Sequence, residues 1–158
     1  MKKLRYRRIS VRIWSDEKIR RLSPEALLVW FYILTHPNLL GFGCMRTQPE
    51  ALALEVPWLF DRDKFSDYFG QLVDEGLVLV DPEASFLALP NFLTHNPPVS
   101  PNVVSGWSKV VGLVPECAAR DRYFKTVQDH VADRGVYFLR ALPKAFETSS
   151  STSGGAHG

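Results

Sequence analysis

The segment DRDKFSDYFGQLVDEGLVLVDPEASFLALP, Asp61 to Pro90, contains two periodicities in succession. Phe65, Tyr68, Phe69, Leu72 and Val73 fall at i, i+3, i+4, i+7 and i+8, the one-sided apolar stripe of an amphipathic helix. The spacing predicts a helix of about three turns that starts near Asp61 and stops at Gly76, where a positive φ is needed. Leu77–Val80 and Phe86–Leu89 are then two short apolar runs joined by Asp81-Pro82-Glu83-Ala84-Ser85, a hairpin signal.

Upstream, Thr47-Gln48-Pro49-Glu50 reads as a helix start with proline in the first turn, leading through Ala51, Leu52, Ala53 and Leu54. Helix, turn, helix and hairpin in that order is the pattern of a winged helix-turn-helix, whose second helix enters the major groove in DNA-binding members. Gly41-Phe42-Gly43-Cys44-Met45 is placed as a loop and strand that pairs with the hairpin. The fold expected is mostly α with a small antiparallel β-sheet (α+β).

Further out, Ile9, Val11 and Ile13 alternate with Ser10, Arg12 and Trp14 and predict a short extended piece entering the domain. Ser15-Asp16-Glu17 and Ser23-Pro24-Glu25 both open helices. The second, Ala26–Leu34, is apolar on nearly every side and is expected to be surrounded as the central core helix. Downstream of the hairpin, residues 91–101 are rich in proline and asparagine and read as a connector. Helical patterns follow: Ser100-Pro101 with Val103, Val104, Trp107, Val110 and Val111; Pro115-Glu116 with Ala119, Tyr123, Val127 and Val131, closed by Gly135; and Phe138, Leu142 and Phe146. The division expected is a basic arm 1–14, a winged domain 15–90, a connector 91–101, a helical extension 102–147 and a flexible Ser/Gly tail 148–158. The apolar faces of the extension must bury on the winged domain or in an oligomer.

The chain has 158 residues, 46% hydrophobic, with a net charge of +2. The charge is uneven. Residues 1–22 hold nine cations, Lys2, Lys3, Arg5, Arg7, Arg8, Arg12, Lys18, Arg20 and Arg21, against Asp16 and Glu17, so this end carries +7 and the remainder −5. Such an end suits phosphate, since Lys and Arg contacts supply most sequence-independent affinity for nucleic acid. The longest apolar run, Ala26–Leu34, is nine residues and too short for a membrane. The basic start lacks the apolar segment of a secretion signal, and two cysteines give neither a disulfide framework nor zinc spacing, so a cytoplasmic location is expected.

No phosphate-cradling glycine loop with lysine, no Gly-x-Ser-x-Gly elbow and no cysteine–histidine pairing occurs. His36, His95 and His130 have no metal-ligand spacing. The protein is therefore expected to be no enzyme, with no catalytic residue, metal ligand or cofactor. On the presumed recognition helix the outward cations and polar groups are Arg62, Lys64, Ser66 and Gln71, while Asp67 and Asp74 oppose phosphate. The hairpin tip carries Asp81 and Glu83 and no cation. The main phosphate contacts are accordingly placed on the amino-terminal cations, with Arg62, Lys64, Ser66 and Gln71 in a secondary role.

Arg8-Ile9-Ser10, Trp14-Ser15-Asp16, Leu22-Ser23-Pro24-Glu25-Ala26, Asp74-Glu75-Gly76-Leu77, Asn91-Phe92-Leu93, His95-Asn96-Pro97-Pro98 and Pro101-Asn102-Val103 together resemble the winged-helix region of phage replication-initiation proteins, the replisome organisers and their primosomal relatives. The resemblance spans roughly Tyr6 to Phe146, and its most specific part is the Asn-Pro-Pro segment after the wing. It implies DNA binding at a phage or prophage origin, recruitment of a replicative helicase or helicase loader, and self-association through the winged domain. Unlike longer members, the chain ends in a Ser/Gly tail with no evident helicase-binding domain. The alternatives are a protein-interaction module that has lost DNA contact and a transcription regulator.

Overall fold

Gly76 is where the backbone changes direction. Its φ is +71°, in the left-handed region glycine enters without strain. Gly76 N–H donates to Val73 O at 3.0 Å and Leu77 N–H to Leu72 O at 2.9 Å, the paired bonds of a Schellman motif. Leu72 and Leu77 are both buried, supplying the apolar contact that accompanies it. The computed structural model describes residues 4–147 of the chain. The helix ended by Gly76, α4, is Phe65–Asp74. It starts later than the stripe predicts, because Asp61 makes a local turn: its Oδ1 accepts from Asp63 N–H at 3.0 Å, and Lys64 N–H donates to Asp61 O. A short acidic side chain offers the backbone that alternative to helix. Phe65, Phe69 and Leu72 are buried and Tyr68 half-buried, but Val73 is turned out to solvent instead of inward.

The elements upstream of α4 are α1 (Glu17–Arg20), α2 (Pro24–Leu34), β1 (Cys44–Arg46) and α3 (Pro49–Glu55); β2 (Leu79–Asp81) and β3 (Phe86–Ala88) follow it. The β2–β3 hairpin pairs Leu79 with Ala88 and Asp81 with Phe86, leaving Pro82–Ser85 as its loop. β1 pairs antiparallel along the other side of β3, Cys44 with Ala88 and Arg46 with Phe86, so the sheet order is β1-β3-β2. β3, flanked on both sides, is fully buried. The described residues are thus mostly helical, with one small antiparallel sheet.

Ser23 caps α2 by accepting from Ala26 N–H at 3.2 Å. The helix is not enclosed on every side as its composition predicts: Ala26, Val29, Ile33 and Leu34 are buried, Trp30, Phe31 and Tyr32 are half-buried, and Leu28 is 40% exposed. It lies between α4 on one side and the amino-terminal segment on another, which leaves a third face uncovered.

The Asn/Pro stretch is folded. It contains a helical turn, α5 (Phe92–His95), with Phe92 and Leu93 buried. Beyond it come α6 (Pro101–Gly106), α7 (Ala118–Asp133) and α8 (Val136–Ala141). Two 3-10 turns, Trp107–Lys109 and Val111–Leu113, replace the continued helix expected after Ser100. α7 opens at the Cys117 cap, whose Sγ accepts from Arg120 N–H at 3.4 Å, rather than at Pro115. Gly135, φ +118°, ends it as predicted. α7 packs on β2 and β3, while α8 packs on α6 and α7; after α8 the chain returns to the core, where Phe146 lies 4.9 Å from Phe42, 4.6 Å from Phe124 and 5.8 Å from Trp107, ring centre to ring centre. One contiguous core runs from Ile19 to Phe146. Gly43 is its tightest point: φ is +88°, and a Cβ there would stand 2.6 Å from Phe92 Cβ.

Candidate nucleic-acid interface

The cations of the amino-terminal segment stand on a strap laid back along α2. Arg5 Nη2 donates to Pro37 O at 2.8 Å, just past the end of that helix. Arg7 Nη2 donates to Leu39 O at 2.8 Å, and its guanidinium sits 5.1 Å above the Phe92 ring. Burial, then the charge of Arg5, lowers the Arg7 pKa, although arginine stays charged. Asn96 grips the strap at both backbone groups of one residue: its Oδ1 accepts from Arg8 N–H at 2.7 Å and its Nδ2 donates to Arg8 O at 3.2 Å.

The extended piece expected from Ile9, Val11 and Ile13 does not become a strand: residues 4–10 have no regular secondary structure. Ser10 Oγ accepts from Arg12 N–H at 3.1 Å and Ser10 O from Ile13 N–H at 3.0 Å, which curls Val11–Ser15 into a 3-10 turn. Val11 and Trp14 consequently face solvent, 88% and 67% exposed. Asp16 then caps α1 through Lys18 N–H at 2.9 Å.

The assigned residues divide into three sets. Lys2 and Lys3 lie outside the described residues. Arg5, Arg7, Arg21 and Gln71 are engaged within the fold. Arg21 makes a bidentate pair with Glu75, 2.9 and 2.8 Å, which ties α1 to the end of α4. The shared hydrogen bond and charge raise the Arg21 pKa and hold the Glu75 carboxyl below its usual range. Gln71 Oε1 accepts from Ser23 N–H at 2.8 Å, so this side chain joins α4 to the start of α2 instead of facing outward to a base edge. In the third set, Arg8, Arg12, Lys18, Arg20, Arg62, Lys64 and Ser66 are exposed, and their side-chain ends have no hydrogen-bond or ion-pair partner among the described residues.

Arg62 and Lys64 precede α4, whereas Arg21 meets its far end. A ten-residue helix rises on the order of 15 Å, so these two cations and the α1 cations stand at opposite ends of α4. Between them the outward side chains of α4 include Asp67 and Asp74. The hairpin loop is fastened down: Asp81 Oδ1 accepts from Ala84 N–H, Ser85 adopts φ +59°, and Gln48 Nε2 donates to Ser85 Oγ at 3.1 Å.

Two features escape sequence reasoning. Arg46, exposed at the end of β1, lines a cleft with Arg5, Pro37, Asn38 and Gly112; its only sequence signal is a lone cation closing an apolar strand. His36 is buried, with Nε2 2.6 Å from Glu55 Oε2 and Nδ1 accepting from Asn38 N–H at 3.0 Å. Tyr32 OH donates to the same Glu55 oxygen. Both ring nitrogens are therefore occupied, Nε2 in joining the end of α2 to Glu55 of α3 and Nδ1 in the turn that follows α2. Among the described residues no helix is long and apolar enough to cross a membrane. Comparison with protein-family models, with curated proteins and with solved structures gives no match.

Proposed function

We propose that residues 15–90 are a winged helix-turn-helix unit and that the protein is a non-enzymatic DNA-binding protein of the phage or prophage replication-initiation type. The architecture is supported by the order α2, β1, α3, α4, β2, β3 with β3 between its two partners, which agrees with what the resemblance implies. The observation that carries the DNA reading is a group of four cations without a partner among the described residues: Arg8 and Arg12 on a strap that Asn96 clasps at Arg8, and Lys18 and Arg20 on α1, which Arg21 ties to Glu75. Cations held in place lose less conformational freedom when they meet phosphate than cations on a loose tail.

In this reading the strap and α1 lie on the sugar–phosphate backbone, and Arg62 and Lys64 make a second, smaller contact. The outward Asp67 and Asp74 and the fastened, cation-free hairpin keep the centre of α4 and the wing out of close contact with phosphate. Bringing a replicative helicase or its loader to the DNA belongs to the same reading.

The test is duplex binding by fluorescence anisotropy at low salt. Arg8→Ala with Arg12→Ala is expected to weaken binding about tenfold and at most roughly 30-fold, from about 1 kcal/mol or less per exposed contact, while Arg21→Ala leaves affinity nearly unchanged. Equal affinities for all three proteins would rule the strap out as the contact surface.

A second reading, self-association or docking of a protein partner, is favoured by a different surface. Val136, Tyr137 and Leu139 of α8 are all exposed. Light scattering that finds a dimer abolished by Tyr137→Ser, with DNA binding absent, would favour it.

A further inference from the structure

Between the strap and the body lies a cavity of about 190 Å³. Its inner wall is apolar, made by Ile13, Ile19, Trp30, Leu34, Leu89 and Phe92, and its mouth carries Arg8, Arg12 and His95 with the amides of Asn91 and Asn96. The one acid at the mouth, Asp16, is already bonded to Lys18 N–H at the start of α1.

Arg12 and Ile13 of the 3-10 turn form one side of the cavity. An extended strap would have turned Ile9, Val11 and Ile13 toward the body together; the turn leaves only Ile13 half-buried and directs Val11 and Trp14 outward. An apolar hollow of about 150 Å³ is enough to take one benzene ring. Apolar walls with a few convergent polar groups at one end are the usual make-up of a small-molecule site. Guanidinium is the side-chain group suited to a carboxylate, and Arg8 and Arg12 both line the cavity, exposed and without a side-chain partner among the described residues.

We infer that this cavity binds a small amphiphilic acid, an apolar body the size of one aromatic ring or a short alkyl chain, with its carboxylate at Arg8 and Arg12. The body replaces water against Trp30, Leu34 and Phe92, and the head is held at the mouth, where solvent still reaches it. The inference is independent of the DNA reading, since it needs no nucleic acid.

Calorimetric titration of the full chain tests it, with 3-phenylpropionate as the probe, 3-phenylpropanol as the same body without charge, and acetate as the charge without the body. The propionate is expected to bind one to one, the alcohol about tenfold more weakly for want of two exposed charge contacts, and acetate not measurably. Arg8→Ala with Arg12→Ala brings the propionate to the level of the alcohol and leaves the alcohol unchanged. Ile13→Trp, placed on the half-buried strap wall, fills the hollow and abolishes both, with far-UV circular dichroism checking that the fold is retained. The inference is overturned if the propionate gives no heat, if acetate binds as well as the propionate, or if either variant leaves propionate binding untouched.

Discussion

The salt dependence of duplex binding measures how many cations meet phosphate, and the proposed contact surface fixes the number expected. Each phosphate neutralised on B-DNA contributes about −0.9 to the slope of log affinity against log salt. Arg8, Arg12, Lys18 and Arg20 acting alone give a slope of about −3.6; with Arg62 and Lys64 it becomes about −5.4. Raising potassium chloride from about 50 to about 200 mM then weakens binding about 150-fold in the first case and roughly 1800-fold in the second. Replacing Arg8, Arg12 and Arg20 together by Ala should move the slope about 2.7 toward zero. Arg21→Ala should leave it in place, because Arg21 is already paired with Glu75. Fluorescence anisotropy with a labelled duplex reads all three proteins. A wild-type slope shallower than about −1, or a triple variant with the wild-type slope, would refute the phosphate role of the strap.

Other expectations concern the strap and the core. Asn96→Ala removes the clasp on Arg8 without altering any charge, so duplex affinity should fall while the salt slope holds, measured in the same titration. Phe146→Ala empties a site packed by Phe42, Phe124 and Trp107 and should cost about 3–5 kcal/mol in urea unfolding. Because the core is shared, sheet and carboxy-terminal helices should unfold in one transition; two separate transitions would contradict it. Arg21 depresses the folded pKa of Glu75, so that stabilisation is complete above the unfolded carboxyl value of about 4.3 and lost as pH falls through the folded value. The stability gap between wild type and Glu75→Gln should thus close in acid. His130 contributes in the same sense at higher pH: burial, then Arg134, lowers its pKa, with Asp133 opposing, and its Nε2 is buried without a partner among the described residues. The unfolded chain takes up that proton first, so stability should decline as pH drops below about 6.5, and His130→Gln should flatten that decline.

What the sequence reveals about this fold is local. Gly76 and Gly135 mark helix ends because positive φ leaves a compositional trace, and Ser23, Asp16 and Ser100 mark helix starts because their side chains accept from the first turn. The hairpin is legible for the same reason, two apolar runs around a polar loop. The composition of α2 misleads, since an all-apolar run reports how much surface needs cover and not whether a chain of this size can provide it. The 91–101 stretch misleads in the other direction: its prolines and asparagines read as a linker, yet Phe92 and Leu93 are core. The candidate interface was half visible. Charge counting finds the cations, but which of them are already paired depends on partners 54 residues away for Arg21 and 48 for Gln71, and no local pattern encodes that.

The residues that escaped local reading are the ones that give the strap its position. Phe92 is buried beneath Arg7, and Asn96, at the end of the same helical turn, grips Arg8. Tyr123 of α7 donates to Phe42 O beside Gly43, where Phe92 closes the space a side chain would need. The carboxy-terminal helices therefore fix α5, α5 fixes the strap, and the strap fixes where Arg8, Arg12 and one wall of the cavity stand. Charge alone would be present on any basic tail. A tail would sample many arrangements and lose that freedom on meeting a polyanion, whereas a clasped strap has given it up during folding. If the strap binds DNA as proposed, that difference gives the region after the hairpin a part in it although the contacts lie elsewhere, through α7, which packs on β2, β3 and α5.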